Sequence, residues 1–393
     1  MRIVFFEMKK IWNIKLLLIV ALICALFYLM FMEFEITYFP NGHSPTEEVA
    51  YSIQLTKEYG PTLEEAEHSE FMLKTHAELI YEAENYIQNM PVFAEAGIYT
   101  YEDYEKVHEK EDQTDLESDA IWTLLREECD FVRFKLQALD SIENGYTRLE
   151  KGSEYLLPAS ASEKEIARLL QIQETGEYRN IMDGWVFGNT VTYTVYLAIL
   201  AVLAVLVFVS PLIVTDRARK VHLLQYTVKH GRSILNKQLI AVLLSAFLLT
   251  TALILIFGAI YSTNGTWPFW NNGLTSFLNF QVTFFWFDIT YGQYIVLYIA
   301  LLYILCLGAA AIAFLLSRFS QNLITLILKL IPVFAMLGAL GYSVFNETYS
   351  NNNPLYVKTG ITGIEPMICG FVLMAGLAVS FYIVRRERKV DVI

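Results

Sequence analysis

Residues 191–214 read VTYTVYLAILAVLAVLVFVSPLIV and contain no Asp, Glu, Lys or Arg. A helix needs about 20 apolar residues to cross the hydrocarbon core of a bilayer. Five other runs share this character, and the six predicted spans are residues 16–33, 189–214, 238–261, 291–317, 322–345 and 367–385. Continuous apolarity without a two-residue alternation excludes a barrel, which is the other structure that satisfies a backbone in lipid. The sequence therefore predicts an all-α membrane protein with six transmembrane helices.

The polar residues are concentrated in one insert, residues 34–188, between the first two predicted spans. It holds 33 of the 41 acidic residues and 12 of the 29 lysines and arginines. The insert therefore carries −21 (12 − 33) and the rest of the chain +9 (17 − 8), which add up to the net charge of −12. So acidic a surface repels phosphate groups and argues against a nucleic-acid partner.

We expect the insert to be a mainly helical domain without chemistry of its own. Thr62, Thr100 and Thr114 each precede an acidic residue by three positions, a signal for a helix start, and another start is expected near Ser162. The insert has neither a G-x-S-x-G nucleophile turn nor a Cys/His metal pattern. We therefore predict no catalytic residue, no metal and no enzyme activity. The carboxylates are interpreted as a solvated face, with steering of cationic ligands as the alternative.

Lys and Arg near the span ends predict the orientation, because cytoplasmic loops carry an excess of both. They cluster in residues 1–15, in the loop 215–237, after the fourth span and in the tail 386–393, whereas residues 262–290 and 346–366 hold a single base, Lys358. Both termini are therefore expected in the cytoplasm. The insert and the two base-poor loops, of which 262–290 is strongly aromatic, are expected outside.

The N-terminal segment, residues 1–15, is moderately amphipathic. At 100° per residue its apolar side chains Val4, Phe5, Met8, Ile11 and Trp12 fall on one side, with Lys9 and Lys10 opposite. This pattern is typical of a helix that lies along the inner membrane surface. The alternative is a positive flank that only fixes topology.

The loop 215–237 is the longest inner loop of the prediction. Its bases Arg217, Arg219, Lys220, Arg232 and Lys237 suit docking to a partner. It also holds the apolar pair Leu223 and Leu224 and a helix-compatible stretch that ends near Gly231. A loop that only sets topology would not need that apolar content.

At these residues the chain resembles the type-2 ABC exporter permeases, in the branch with a large extracellular domain between the first two spans. The similar positions are Asp216, Leu223-Leu224-Gln225-Tyr226-Thr227, Gly231-Arg232, Lys237, Phe6-Glu7-Met8-Lys9-Lys10, Asp288-Ile289-Thr290 through Tyr294 leading into span four, and Ser317 before span five. The resemblance covers the whole length, and many relatives have Glu where this chain has Asp216.

The resemblance implies a function and its partners. Residues 215–237 would be a coupling helix that docks into a P-loop ATPase subunit, and Glu7, Lys9, Lys10 and Trp12 would belong to the amphipathic N-terminal helix. ATP and Mg²⁺ would bind the partner, since this chain has no G-x-x-x-x-G-K-[ST] motif and binds no cofactor itself.

We expect a complex with a second permease subunit in the plasma membrane of a Gram-positive bacterium, in contact with lipid. It would export a peptide, an antimicrobial or a lipid-like substrate by alternating access. The alternative is a membrane sensor or immunity protein whose outer domain binds a ligand.

Lys329 is the one formal charge well inside a predicted span, and Pro332 follows it by three residues. A charge in lipid costs about 2.5–3.5 kcal/mol on insertion scales, so it is often functional. Both residues are therefore candidates for a translocation path. Contact with an anionic headgroup and snorkelling to the inner interface remain open for Lys329, and Pro332 could be only a packing kink.

Overall fold

The computed structural model describes residues 2–150, 161–221, 234–279 and 283–389. Helices dominate this part of the chain, where β-bridges occur only as isolated pairs. The α-helices are α1 Arg2–Ile11, α2 Ile14–Phe27, α3 Phe34–Thr37, α4 His43–Tyr59, α5 Glu65–Asn89, α6 Pro91–Glu95, α7 Tyr101–His108, α8 Asp115–Thr123, α9 Val132–Glu150, α10 Glu163–Thr175, α11 Gly184–Val209, α12 Pro211–Ala218, α13 Ile234–Tyr261, α14 Tyr291–Arg318, α15 Leu323–Phe345, α16 Pro354–Thr359 and α17 Ile364–Lys389.

Six helical segments in the described residues are long and apolar enough to cross a membrane, so the chain is an all-α, multi-pass membrane protein. They are Ile14–Met32, Gly184–Ala218, Ile234–Asn264, Tyr291–Arg318, Leu323–Phe345 and Ile364–Glu387. The predicted spans match them one for one. The largest difference is in the second, which starts at Gly184 rather than 189 because Asp183 accepts hydrogen bonds from the first backbone N–H groups of that helix.

The chain divides into two compact units. The membrane unit comprises Met1–Thr37, Asn189–Gly265 and Gln293–Ile393. In it the second span is mostly covered by protein, with 78% of its apolar window buried, whereas the first, fifth and sixth spans are only 11%, 17% and 22% buried. The second span therefore forms the centre of this unit, and those three spans present apolar surface to lipid or to another chain.

The insert unit comprises Tyr38–Gly188 and Thr266–Gly292. One of its apolar clusters joins the end of α5 to the helices that follow it, and its fully buried side chains include Phe93, Ile98, Tyr104 and Leu124. Helices start as predicted after Thr100, Thr114 and Ser162, each with a reciprocal capping box.

The predicted helix start at Thr62 is wrong by two residues. The helix begins at Glu65 with Glu64 as its N-cap. Thr62 instead forms an isolated bridge to Asn180, and the N–H of Leu63 donates to the carbonyl of Arg179 at 2.9 Å. Because the Leu63 side chain is completely buried, apolar packing and this pairing hold the segment extended.

Two neighbouring carboxyl groups of the insert unit, the buried Asp183 and the partly buried Glu48, have raised pKa values. Asp183 is fully buried, and its Oδ2 accepts a hydrogen bond from the Ser52 hydroxyl at 3.0 Å. Burial raises the pKa of Asp183 to about 6. Burial, and then the charge of Asp183, raise the pKa of Glu48 to about 7. Both carboxyl groups therefore stay protonated to a higher pH than carboxyl groups usually do.

Candidate functional site

The candidate site lies in the membrane unit, where α1 packs against α12 and α13. The buried residues of α1 are Val4, Glu7 and Ile11, while Phe5 is 66% exposed and Phe6 51% exposed. The predicted apolar set is therefore divided: Val4 and Ile11 are buried together with an acidic residue, whereas Phe5 is open. The reason is that Glu7 finds polar partners in the contact, whereas an exposed aromatic face is suited to lipid.

Lys10 links α1 to the segment that follows the second span. Its Nζ donates to Glu7 Oε1 at 2.8 Å and to Asp216 Oδ2 and Oδ1 at 2.9 and 3.2 Å. Glu7 and Asp216 are 4% and 6% exposed, so the two carboxylates are almost completely removed from water. A shared ammonium makes this burial tolerable, because hydrogen bonds that involve charged groups are roughly twice as strong as neutral ones.

Gln238, in the first turns of α13, completes the network. Its Nε2 amide donates to Glu7 Oε2 at 3.1 Å and to Asp216 Oδ2 at 3.0 Å, and the side chain is 2% exposed. An amide nitrogen has two N–H groups, so it can serve both carboxylates at once. The N-terminal helix, the end of the second span and the start of the third are therefore held by one hydrogen-bonded cluster, the inner network of Glu7, Lys10, Asp216 and Gln238.

The electrostatics of Lys10 favour its charged form. Burial lowers its pKa, but the hydrogen bonds and charges of Glu7 and Asp216 outweigh burial and raise the pKa above the usual value of 10.5. At neutral pH Lys10 is therefore a cation between two acidic partners.

Trp12 adds a second attachment next to the network. Its Nε1–H donates to Ser245 Oγ of α13 at 3.2 Å, and its ring lies edge-on to Phe208 with centroids 5.2 Å apart. A buried indole usually needs a partner for its single N–H, and Ser245 provides one. The connection between α1 and the first span is thus fixed to two other spans.

Arg217 binds within the chain. Its guanidinium donates to the carbonyl of Arg318 at 2.9 Å and to that of Ser320, both of which follow α14. Close by, Ser317 Oγ accepts a hydrogen bond from the N–H of Val214 at 3.3 Å. These contacts join the ends of the second and fourth spans, so at least part of the hydrogen-bonding capacity of Arg217 is used inside the chain.

The remaining predicted coupling residues divide into three groups. Arg219 and Lys220 are exposed at the end of α12. Lys237 is half-buried in the first turn of α13. Leu223, Leu224, Gly231 and Arg232 lie outside the described residues. The structure thus places Asp216 in the inner network and Arg219 and Lys220 on the surface beside it.

Lys329 is not enclosed among the spans. Its Nζ donates to the carbonyl of Phe319, just after α14, at 2.8 Å. This contact turns the ammonium toward the end of the helix where α15 begins, which favours the snorkelling alternative. Pro332 lies on the exposed side of α15 in the single chain. A role of either residue in translocation stays a prediction.

Gln238, and the pairing of Glu7 with Asp216 through Lys10, are the parts of the site that sequence reasoning missed. A signal was present: Glu7 is the only acid in residues 1–15, and Asp216 is the only acid in residues 215–237. A single carboxylate in a basic segment is a candidate for an internal ion pair.

Comparison of the chain with family models, curated proteins and solved structures found no match. Within the described residues no group of three or more His, Cys, Asp or Glu side chains could hold a metal ion.

Proposed function

We propose that this chain is the permease subunit of an ABC exporter with both termini in the cytoplasm, and that a separate ATPase subunit drives it. The observation that carries the proposal is the inner network. It ties α1, α12 and α13 together through Lys10, Asp216 and Gln238. In this proposal a displacement of Asp216 would be transmitted to the N-terminal helix.

Such a mechanical connection is useful in a transporter that changes its access by rigid-body motion. A partner that closes on ATP would pull on residues 215–237, and the network would pass the force to α1 and to three spans. In this proposal ATP and Mg²⁺ bind the partner, because the sequence contains no Walker A motif.

The docking surface in this proposal includes Arg219 and Lys220. Both are exposed and basic, whereas Arg217 is engaged with backbone carbonyls of the chain itself. Basic residues at the rim of an interface steer an acidic partner and affect its association rate. The exposed first, fifth and sixth spans leave apolar surface for a second permease subunit and for lipid.

The test is purification of the tagged full-length chain from membranes of its own host, in mild detergent. We expect a P-loop ATPase to co-purify. Charge reversal at the exposed pair, Arg219→Glu with Lys220→Glu, is expected to reduce its recovery at least fivefold. The matched control is Lys358→Glu, an exposed lysine of α16 that is predicted to lie on the opposite side of the membrane.

If the purified protein carries no nucleotide-binding subunit, the exporter proposal is wrong. The alternative, a membrane sensor or immunity protein that uses its insert unit to bind a ligand, would then be favoured. Equal loss of the ATPase with Lys358→Glu would show that the effect is not local to the inner surface.

A further inference from the structure

A groove of about 400 Å³ lies between α1 and α13 in the membrane unit. Its lining consists of Phe5, Met8, Lys9, Trp12 and Leu248. Lys9 is the single charged member of this set, and the other four side chains are apolar or aromatic. This surface is separate from the inner network, which is formed by the opposite side of α1.

We expect the groove to begin near the lipid headgroups and to extend toward the acyl chains. Trp12 stands two residues before the first span, and Leu248 lies 11 residues after Lys237 along α13, a rise of about 16 Å. A helix that lies in the membrane interface buries its apolar side about 5–10 Å into this boundary. In a bilayer, lipid is therefore the solvent that meets the groove.

The Trp12 side of the groove is fixed by contacts with two spans. The Trp12 ring is held by its hydrogen bond to Ser245 and by its edge-on contact with Phe208. Phe5 is 66% exposed and Leu248 also has an open face, so a chain can enter from the side. A preformed apolar surface of this kind binds an acyl chain without ordering many side chains.

The rim of the groove is cationic. Lys9 is exposed, and Arg2 is exposed on the same outward face of α1, since seven residues are about two helical turns. The guanidinium of Arg2 lies 6.0 Å from the Phe6 ring centroid. An exposed face with aromatic rings and basic groups matches the boundary between an anionic headgroup and its acyl chain.

We propose that this groove binds an anionic phospholipid, with one acyl chain against Trp12 and Leu248 and the phosphate against Lys9. The charge of the rim decides between lipid classes: a zwitterionic headgroup gains little from Lys9, whereas an anionic headgroup is attracted by it. The site requires only that the chain is in a bilayer, so it does not depend on the proposed export function.

The test uses Trp12 as the reporter in the full-length protein, reconstituted in phosphatidylcholine nanodiscs. A small fraction of the lipid is replaced by brominated phosphatidylglycerol or by brominated phosphatidylcholine, because bromine quenches a tryptophan in contact. The chain has five other tryptophans, all at residue 122 or beyond. The Trp12 signal is the part of the fluorescence that Trp12→Phe removes.

We expect brominated phosphatidylglycerol to quench Trp12 at about fivefold lower mole fraction than brominated phosphatidylcholine, the effect of one basic residue near a charged lipid. Lys9→Gln should remove most of this preference, with Arg2 left at the rim, and Lys9→Arg should keep it. Lys15→Gln is the matched control, a lysine near the same end of the bilayer but outside the groove lining, and should leave the preference unchanged.

Equal quenching by the two lipids would overturn the proposal, and so would a preference that Lys9→Gln and Lys15→Gln weaken alike, since that indicates only a diffuse surface charge. If neither lipid quenches Trp12, the groove is closed to lipid and is covered by protein. Exchange of the α1 amides in Lys9→Gln shows whether that variant still holds α1 in place.

Discussion

The substitution Lys10→Met tests whether the inner network attaches α1 to the spans. Methionine is unbranched and has a helix propensity similar to that of lysine, so the change removes the ammonium with little effect on the helix itself. It leaves Glu7 and Asp216, at 4% and 6% exposure, with Gln238 as their remaining partner in the network. The expected result is partial release of α1.

The magnitude follows from the burial of the three charged groups. Removing one partner of a fully buried ion pair costs about 3–5 kcal/mol, whereas exposed pairs are worth about 0–1 kcal/mol. Counting side-chain atoms alone, Lys10 is 37% exposed, Glu7 5% and Asp216 8%. Water can therefore screen part of the lost charge, and we expect a cost of about 2 kcal/mol, or about a 30-fold change in the docking equilibrium.

The measurement is amide hydrogen exchange, followed by mass spectrometry, of peptides that cover α1 in detergent micelles. A helix of ten residues is marginal by itself, so its protection reports its docking. Exchange should be about 30-fold faster in Lys10→Met and unchanged in Lys9→Met, the neighbouring lysine that faces away from the network. In an Asp216→Asn background the effect of Lys10→Met should fall to less than half.

Equal acceleration in Lys9→Met and Lys10→Met would refute the reasoning, because the protection would then depend on general charge rather than on the buried contact. So would a full effect of Lys10→Met in the Asp216→Asn background, since residues in one network do not behave additively.

Two further predictions concern the insert unit. Because the folded-state pKa of Glu48 is about 7 and its ordinary value is 4.5, the folded state binds the proton more tightly, and stability is lost as pH rises from about 4.5 through 7. The midpoint temperature of thermal unfolding in micelles should decrease as the pH is raised from 5 to 8. Glu48→Gln should flatten that decline and Glu58→Gln, an exposed control on the same helix, should not; identical slopes would contradict the prediction. Arg168→Leu should destabilise the unit by about 3–5 kcal/mol in denaturant unfolding, because Glu177, at 8% exposure, loses a two-point ion pair. Arg168→Leu with Glu177→Leu should recover at least half of that loss, and no recovery would show that the pair is not what stabilises α10.

The spans could be predicted because lipid imposes a length and an apolarity that short local windows reveal. The first span, predicted at residues 16–33, is Ile14–Met32, and the fourth, predicted at 291–317, is Tyr291–Arg318. Errors occur where the helix end depends on a cap. Gly184 starts α11 because the buried Asp183 accepts N–H groups there, and hydropathy contains no information about that.

The inner network could not be predicted from local pattern. Lys10 and Asp216 are 206 residues apart, and a helical wheel drawn for residues 1–15 treats the environment as one membrane surface. The wheel therefore groups Phe5 with Val4 and Ile11, although α1 meets protein where Val4 and Ile11 lie and is open where Phe5 lies. Glu7 is buried because Gln238 and Lys10 donate hydrogen bonds to its carboxylate.

Start sites of helices in the insert show the same limit on a smaller scale. Thr100 and Thr114 cap helices as their spacing predicts, because the cap and its acidic partner are local. Thr62 has the same spacing and fails, because the adjacent Leu63 is taken into the core and pairs with Arg179, more than 110 residues away.

The sequence separation of Lys10 and Asp216 also determines how long after the synthesis of α1 their contact can form. Asp216 leaves the ribosome 206 residues after Lys10, which at 5–20 residues per second is a delay of about 10–40 s. Gln238 follows it by another 22 residues. Throughout that interval α1 lacks its contacts with Asp216 and Gln238, and Glu7 is expected to remain hydrated at the membrane surface. Docking of α1 is therefore complete only after the third span has been made, because Gln238 and Ser245 both belong to it.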